Sequence, residues 1–292
     1  MINNSTIEVV DFGYDKLNAY LNMAIDESLL NYVVEKTITN KLIVRTYDFS
    51  NPSIILGRND DISNIKRLDN QGIYDITRRE TGGMPIYVGD ETYAYSIIGN
   101  LSFLKNDIIT IELHKLLGPA IMNMIKELIP ENKKADFKVG DKYSIKLNEK
   151  PIAGNSSYIS NKTFLYHGVI TISNLNADEI SKIINLSEND YKSIKQLPYL
   201  SDKELTMLEP SIIKDKIKNS LSLNIYNYLK NLNDIKNKEI RLNKIDNNFK
   251  DSIIKNAEII ANNKYKKEEW INNKKIGTPL KTGRGYCLLY EG

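Results

Sequence analysis

Apolar residues along the chain recur in two rhythms, one of period two and one near 3.6, and these divide it into strands and helices. Alternating or β-branched runs at 5–11 (STIEVVD), 41–49 (KLIVRTYDF), 53–57 (SIILG), 91–100 (ETYAYSIIGN) and 163–172 (TFLYHGVITI) predict strands. The Asn51-Pro52 step reads as a turn, which makes 41–49 and 53–57 neighbours in an antiparallel pair. Segment 73–83 (IYDITRRETGG) reads as a strand entering a glycine loop, and 142–160 as further strands. Across 17–36, Leu17, Leu21, Ala24, Ile25, Leu29, Tyr32 and Val33 fall near helical spacing, the mark of an amphipathic helix laid on an apolar surface. A second long helix is expected over 108–128.

Beyond residue 178 the pattern is mostly helical to 264 and rich in Asn, Lys and Ile; within it 231–250 is polar and reads as a linker or surface loop. The last segment, 276–292, carries Gly277, Pro279, Gly283 and Gly285 and ends in a short apolar strand, YCLLY. No repeat of 20–50 residues is visible. Strands and helices do not alternate regularly as β-α-β. The expected class is therefore α+β, with a mixed, largely antiparallel central sheet flanked by helices, rather than a doubly wound parallel sheet.

Composition narrows this little. The chain has 292 residues, 41% hydrophobic and 26% charged, with a net charge of +3. These are globular values, which exclude a fibre or a disordered tail. A nearly balanced charge gives nucleic-acid binding no support. The single cysteine, Cys287, excludes an internal disulfide framework and a cysteine-built zinc site. The N-terminus lacks the basic start and apolar core of a signal peptide, and no apolar run approaches the ~20 residues that span a bilayer, so the cytoplasm is the expected location and no membrane partner is expected.

Four segments could carry chemistry. Arg78-Arg79-Glu80-Thr81-Gly82-Gly83 places two guanidinium groups and a flexible backbone at a strand end, which suits phosphates and carboxylates. Lys150 opens the run NEKPIAGNSSY, where Gly154, Asn155 and Ser156 add close backbone approach and hydrogen-bond donors. His167-Gly168 sits in a strand; neither it nor His114 has a partner at metal-ligand spacing, so no protein-held metal is expected. Gly57 in IILGRND lets the chain turn before Arg58 and Asn59. No Walker phosphate loop or G-x-S-x-G elbow is present, and Cys287 reads as a packed thiol rather than a nucleophile.

Taken in order, LNMAIDESLL, RTYDFSNPSIILGRND, RRETGG, KPIAGNSSY and YHG resemble the lipoate–protein ligases, within the wider group of biotin ligases and octanoyl transferases; NKYKKEEW at 263–270 resembles an element near the end of their catalytic domain. The resemblance implies a class II synthetase-like, biotin-ligase-like sheet, with a catalytic domain over 1–270 and a short extension over 271–292. It implies activation of lipoate by ATP, with Mg2+, and transfer of the lipoyl group to a lysine of a lipoyl domain of a 2-oxoacid dehydrogenase or a glycine-cleavage H protein. Arg79, Gly82 and Gly83, with Arg78 and Thr81, would cover the acyl-adenylate, and Lys150 would meet its developing charge. Asp141, Gly154, Asn155, Ser156, His167 and Gly168 would complete the binding site, with Arg45, Gly57 and Asn59 lining the rest of the pocket.

The sequence departs from that family in four places. The loop continues Met84-Pro85-Ile86-Tyr87-Val88 instead of with small residues and a His-Asp. The family lysine lies three residues before its glycine, where Pro151 stands; Lys150 lies four before Gly154, so a bulge is needed to turn it to the same face. Val169 follows His167-Gly168 where threonine is frequent. The absence of an accessory domain after 270 suggests a separate accessory subunit or a transferase-like relative. A divergent lipoyl-binding relative without catalysis and an acyl transferase without ATP are the alternatives.

Overall fold

The computed structural model describes residues 6–66, 73–104, 108–235 and 237–273. In chain order the elements are β1 (Thr6–Leu17), α1 (Ala19–Glu35), β2 (Lys41–Phe49), β3 (Ser53–Leu56), β4 (Asp75–Arg78), β5 (Ile86–Val88), β6 (Thr92–Asn100), α2 (Thr110–Lys126), β7 (Phe137–Val139), β8 (Ser144–Leu147), β9 (Lys150–Ser160), β10 (Thr163–Thr171), α3 (Ala177–Ile183), α4 (Glu188–Lys195), α5 (Pro210–Lys230), β11 (Glu239–Lys244), α6 (Asn247–Ile260) and α7 (Glu268–Asn273). Eight strands form one sheet in the order β11-β1-β2-β6-β10-β9-β8-β7, and β4-β3-β5 form a second, small one. In the large sheet only the contacts of β1 with β2 and β11 are parallel. This is the mixed, largely antiparallel α+β architecture expected.

Hydrophobic positions on the two faces of the large sheet build two cores. Leu42, Val44, Tyr95, Ile97 and Tyr166 face Leu117, Ile121, Ile217 and Leu221 of α2 and α5. Ile43, Tyr47, Ala94, Ile98 and Leu165 face Ile25, Leu29, Ile253 and Ala257 of α1 and α6. Ile55 and Val88 bring the small sheet onto this second face. Two hairpins set the register between β8, β9 and β10. Their turn residues, Asn148-Glu149 and Asn161-Lys162, all have positive φ, as two-residue turns matched to strand twist require. No helix among the described residues is long and apolar enough to cross a membrane.

Two sequence expectations are corrected. Segments 41–49 and 53–57 do not pair. β2 already has β1 on one side and β6 on the other, so the chain leaves at Asn51-Pro52 and β3 starts the small sheet between β4 and β5. The polar stretch 231–250 is not a loop throughout: β11 adds to β1 as a parallel edge strand, its polar side chains facing solvent. The first strand also runs on to Leu17, through an irregularity at Gly13 (φ 86°), and Asn18 caps α1 by accepting from the Leu21 N–H. The expected terminal strand at 286–290 lies outside the described residues.

Candidate functional site

The site lies between the α1 face of the large sheet and the small sheet. Cross-strand register aligns Arg45 on β2, Ser96 on β6, His167 on β10 and Ser156 on β9 as neighbours on one face. Asn22 and Asp26, one helical turn apart on α1, reach down to that row. Asp26 Oδ1 accepts from Arg45 Nη1 at 3.1 Å and Ser96 Oγ at 2.7 Å, and Oδ2 lies 3.2 Å from His167 Nδ1. Burial alone would raise the Asp26 carboxyl, but hydrogen bonding from His167 and the Arg45 charge outweigh it and hold it below the ordinary carboxylate range.

An ionised Asp26 can only accept, so His167 donates to it from Nδ1. Thr81 Oγ1 is hydrogen-bonded to His167 Nε2 at 2.6 Å. The same oxygen accepts from Arg79 Nε at 3.1 Å. A single hydrogen-bond chain thus runs from the glycine loop to the floor of the sheet.

The double arginine does not present free cations. Arg78 is fully buried, and its guanidinium donates to the carbonyls of Gly57 (2.7 Å), Asp60 (2.7 Å), Trp270 (3.2 Å) and Ile271 (2.6 Å). Arg79 donates to Ile55 O at 3.0 Å, Gly82 O at 2.6 Å and Met84 O at 3.1 Å, and burial pushes its pKa down to about 10. Both side chains organise backbone: Arg78 ties three segments together and Arg79 curls the loop around itself. The loop is tight. Gly83 has φ 99°, and a Cβ on Gly57 would run into the Gly83 carbonyl.

Of the other expected residues, Ser156 Oγ donates to Gly82 O at 3.0 Å, joining β9 to the loop. Gly82 and Gly154 both border open space. Asn155 Nδ2 donates to Tyr143 O at 3.2 Å and its Oδ1 accepts from the Tyr95 hydroxyl; a Cβ on Gly168 would crowd both. Thr81, Gly82, Ser156, His167 and Arg45 are thus brought together. Asp141 and Asn59 are exposed, in the β7–β8 turn and the turn after Gly57. Lys150 is not in this cluster. It pairs with Leu147, whose side chain enters the α2-side core, and its ammonium is exposed and donates to Gln196 Oε1 at 3.3 Å.

Sequence reasoning missed Asn22, Asp26, Glu27 and Lys264. The signal was present in Asn22 and Asp26, two polar residues at i, i+4 flanking the apolar stripe of α1. Lys264 is buried in a π-helical turn, Ala261–Tyr265, bonds Glu80 and Glu27 (2.8 Å), and lies 4.2 Å from the Trp270 ring centroid. Burial raises the Glu27 carboxyl, whereas the two carboxylates outweigh burial and raise the Lys264 ammonium, keeping it charged. Arg58 bonds Glu80 as well. Because Asp26, Glu27 and Glu80 are each taken by cations, and no cluster of three metal-ligating side chains occurs among the described residues, these residues do not fit a protein-held Mg2+.

The chain belongs to the lipoyl protein ligase A/B catalytic domain family, whose model matches residues 18–219. Among curated proteins it is similar to octanoyltransferase LipM of Macrococcus caseolyticus (strain JCSC5402), 24% identical over 221 residues, covering 66% of this chain and 79% of that one. Among solved structures it is similar to the bipartite lipoate protein ligase of Thermoplasma acidophilum, described with its E2 lipoyl domain (TM-score 0.70, 18% identity, 94% of this chain and 100% of that one). It is also similar to a lipoate-protein ligase A bound with ATP (TM-score 0.63, 17% identity, 91% and 98%).

Proposed function

We propose that this chain is an ATP-dependent lipoate–protein ligase. The carboxylate of lipoate attacks the α-phosphorus of ATP and expels pyrophosphate. The lysine amine of a lipoyl domain or H protein then attacks the acyl carbon of lipoyl-AMP and expels AMP. The glycine loop, curled by Arg79 and pinned by Thr81–His167 and Ser156–Gly82, would hold the mixed anhydride in the cleft between Gly82 and Gly154 and keep water from it.

One observation carries the choice of ATP: the only cysteine, Cys287, lies outside residues 18–219, so the matched region offers no thiol to hold the acyl group as a thioester. The similarity to octanoyltransferase LipM favours a second reading, acyl transfer from an octanoyl carrier protein without ATP. The test is labelling of an apo lipoyl domain with lipoate or octanoate, with ATP present or absent. Labelling with pyrophosphate release is the expected outcome. Labelling from octanoyl carrier protein without ATP, lost on Cys287→Ser, would replace this reading with the second.

A further inference from the structure

An acyl-phosphate site must stabilise negative charge, so the placement of its cations decides how it works. Around the described site nearly every cation is spent. Arg78 and Arg79 are saturated by carbonyls, Arg45 is held by Asp26, Arg58 by Glu80, and Lys264 by Glu27 and Glu80. Lys150 reaches Gln196 at the surface.

The register of the β8–β9 hairpin points to another lysine. Ser144 pairs with Gly154 and Ile145 with Ala153; the register then shifts, so that Lys146 pairs with Pro151 and Leu147 with Lys150. Ile152 is the extra residue of this bulge. Ile145, Leu147, Ile152 and Ala153 all enter the α2-side core. Ser144, Lys146, Pro151 and Gly154 therefore share the opposite face, the one on which Ser156 and His167 stand. The bulge restores Pro151 to the cleft side and leaves Lys150 off it. Directly opposite Pro151, within the roughly 5 Å that separates cross-strand Cβ atoms, stands Lys146. Its side chain is half-buried, 31% exposed, and its stem lies on the same side as Ser144 Oγ, where both would meet a Cβ at Gly140. Its ion pair with Glu149 is loose, 4.0 Å, because Lys138 binds that carboxylate more closely.

We propose that Lys146, carried on β8 across from Pro151, supplies the ammonium that meets the acyl carboxylate and α-phosphate in the cleft. This rests on the ligase reading above and names the residue that reading requires. Lys146 is catalytic in the strict sense, touching the reacting atoms, and Pro151 shapes the opposite strand so that the lysine can lie across it.

The experiment uses the full chain with lipoate, ATP and an apo lipoyl domain, following pyrophosphate release and domain labelling, with thermal unfolding of each variant as the folding control. Lys146→Met is expected to lose about a hundredfold or more in turnover, the range seen when one charge-stabilising donor is removed. Lys146→Arg should retain part of it and covers the case in which the methionine variant fails to fold. Adding Pro151→Lys to Lys146→Met should recover at least tenfold, since it returns an ammonium to the same face. Folded Lys146→Met with wild-type turnover, or a loss confined to Lys150→Met, overturns the assignment while leaving the ligase reading intact. A wild-type chain that turns over neither lipoate nor octanoate with ATP overturns both.

Discussion

Asp26 is the residue on which the site's protonation state hangs. It holds a guanidinium, a hydroxyl and an imidazole in one buried knot, so Asp26→Asn removes the closer carboxylate of Arg45, leaving Asp15 at 3.7 Å, and should cost about 3 kcal/mol in chemical unfolding. The pH dependence has a definite sign. The folded carboxyl titrates below its unfolded value, so its contribution is present above the ordinary carboxylate range and is lost as pH falls through the folded value. The stability gap between wild type and Asp26→Asn should be widest near neutrality and narrow in acid. Gly57→Ala tests the loop: with the Gly83 carbonyl in the way, the two turns must separate, and transfer activity should fall at least tenfold with a lowered melting temperature. At this scale the sequence was half legible. RRETGG and YHG do meet, through Thr81 and His167, but what each side chain binds was not written in them: a guanidinium reads the same whether it meets phosphate or, as Arg78 does, the carbonyls of Gly57, Asp60 and Ile271.

Elements with long patterns were legible and short ones were not. α1, α2, β6 and β10 carry enough apolar periodicity to be read from one chain, whereas β5 and β7 have three residues each and no period to show. β2 and β3 show a different limit. Both are buried on both faces, and a run of continuous hydrophobics identifies a central strand without saying which sheet it is central to. The segment from the π-helical turn through α7 is the element that fastens the double-arginine strand: Thr77 Oγ1 donates to Tyr265 O at 3.0 Å, and Trp270 Nε1 donates to Arg78 O at 2.9 Å. Trp270→Ala removes a fully buried indole and should cost about 3–5 kcal/mol. Hydrogen exchange should then speed up in 77–83 while the α2-side core keeps its protection.

Across the whole molecule, α1 and α6 and the small sheet crowd one face of the large sheet, and α2 and α5 the other, so the site sits on a floor with a core beneath it. The family match ends at residue 219, yet β11, α6, Lys264 and Trp270 all follow it. A fragment of 1–219 would expose the α1 side of Ile25 and Leu29 and leave Glu27 and Glu80 without their lysine; it should be insoluble or unfolded by circular dichroism, whereas 1–273 should fold. The anchoring of Arg78 to Trp270 and Ile271 has a temporal side. Strand β4 leaves the ribosome almost two hundred residues before the carbonyls that hold its guanidinium, a separation of 192 positions for Trp270. The arginine must wait, solvated, while the rest of the sheet assembles around it. The cleft is therefore a late product of biosynthesis, and a nascent chain stalled short of its end would carry the scaffold without a finished place for substrate.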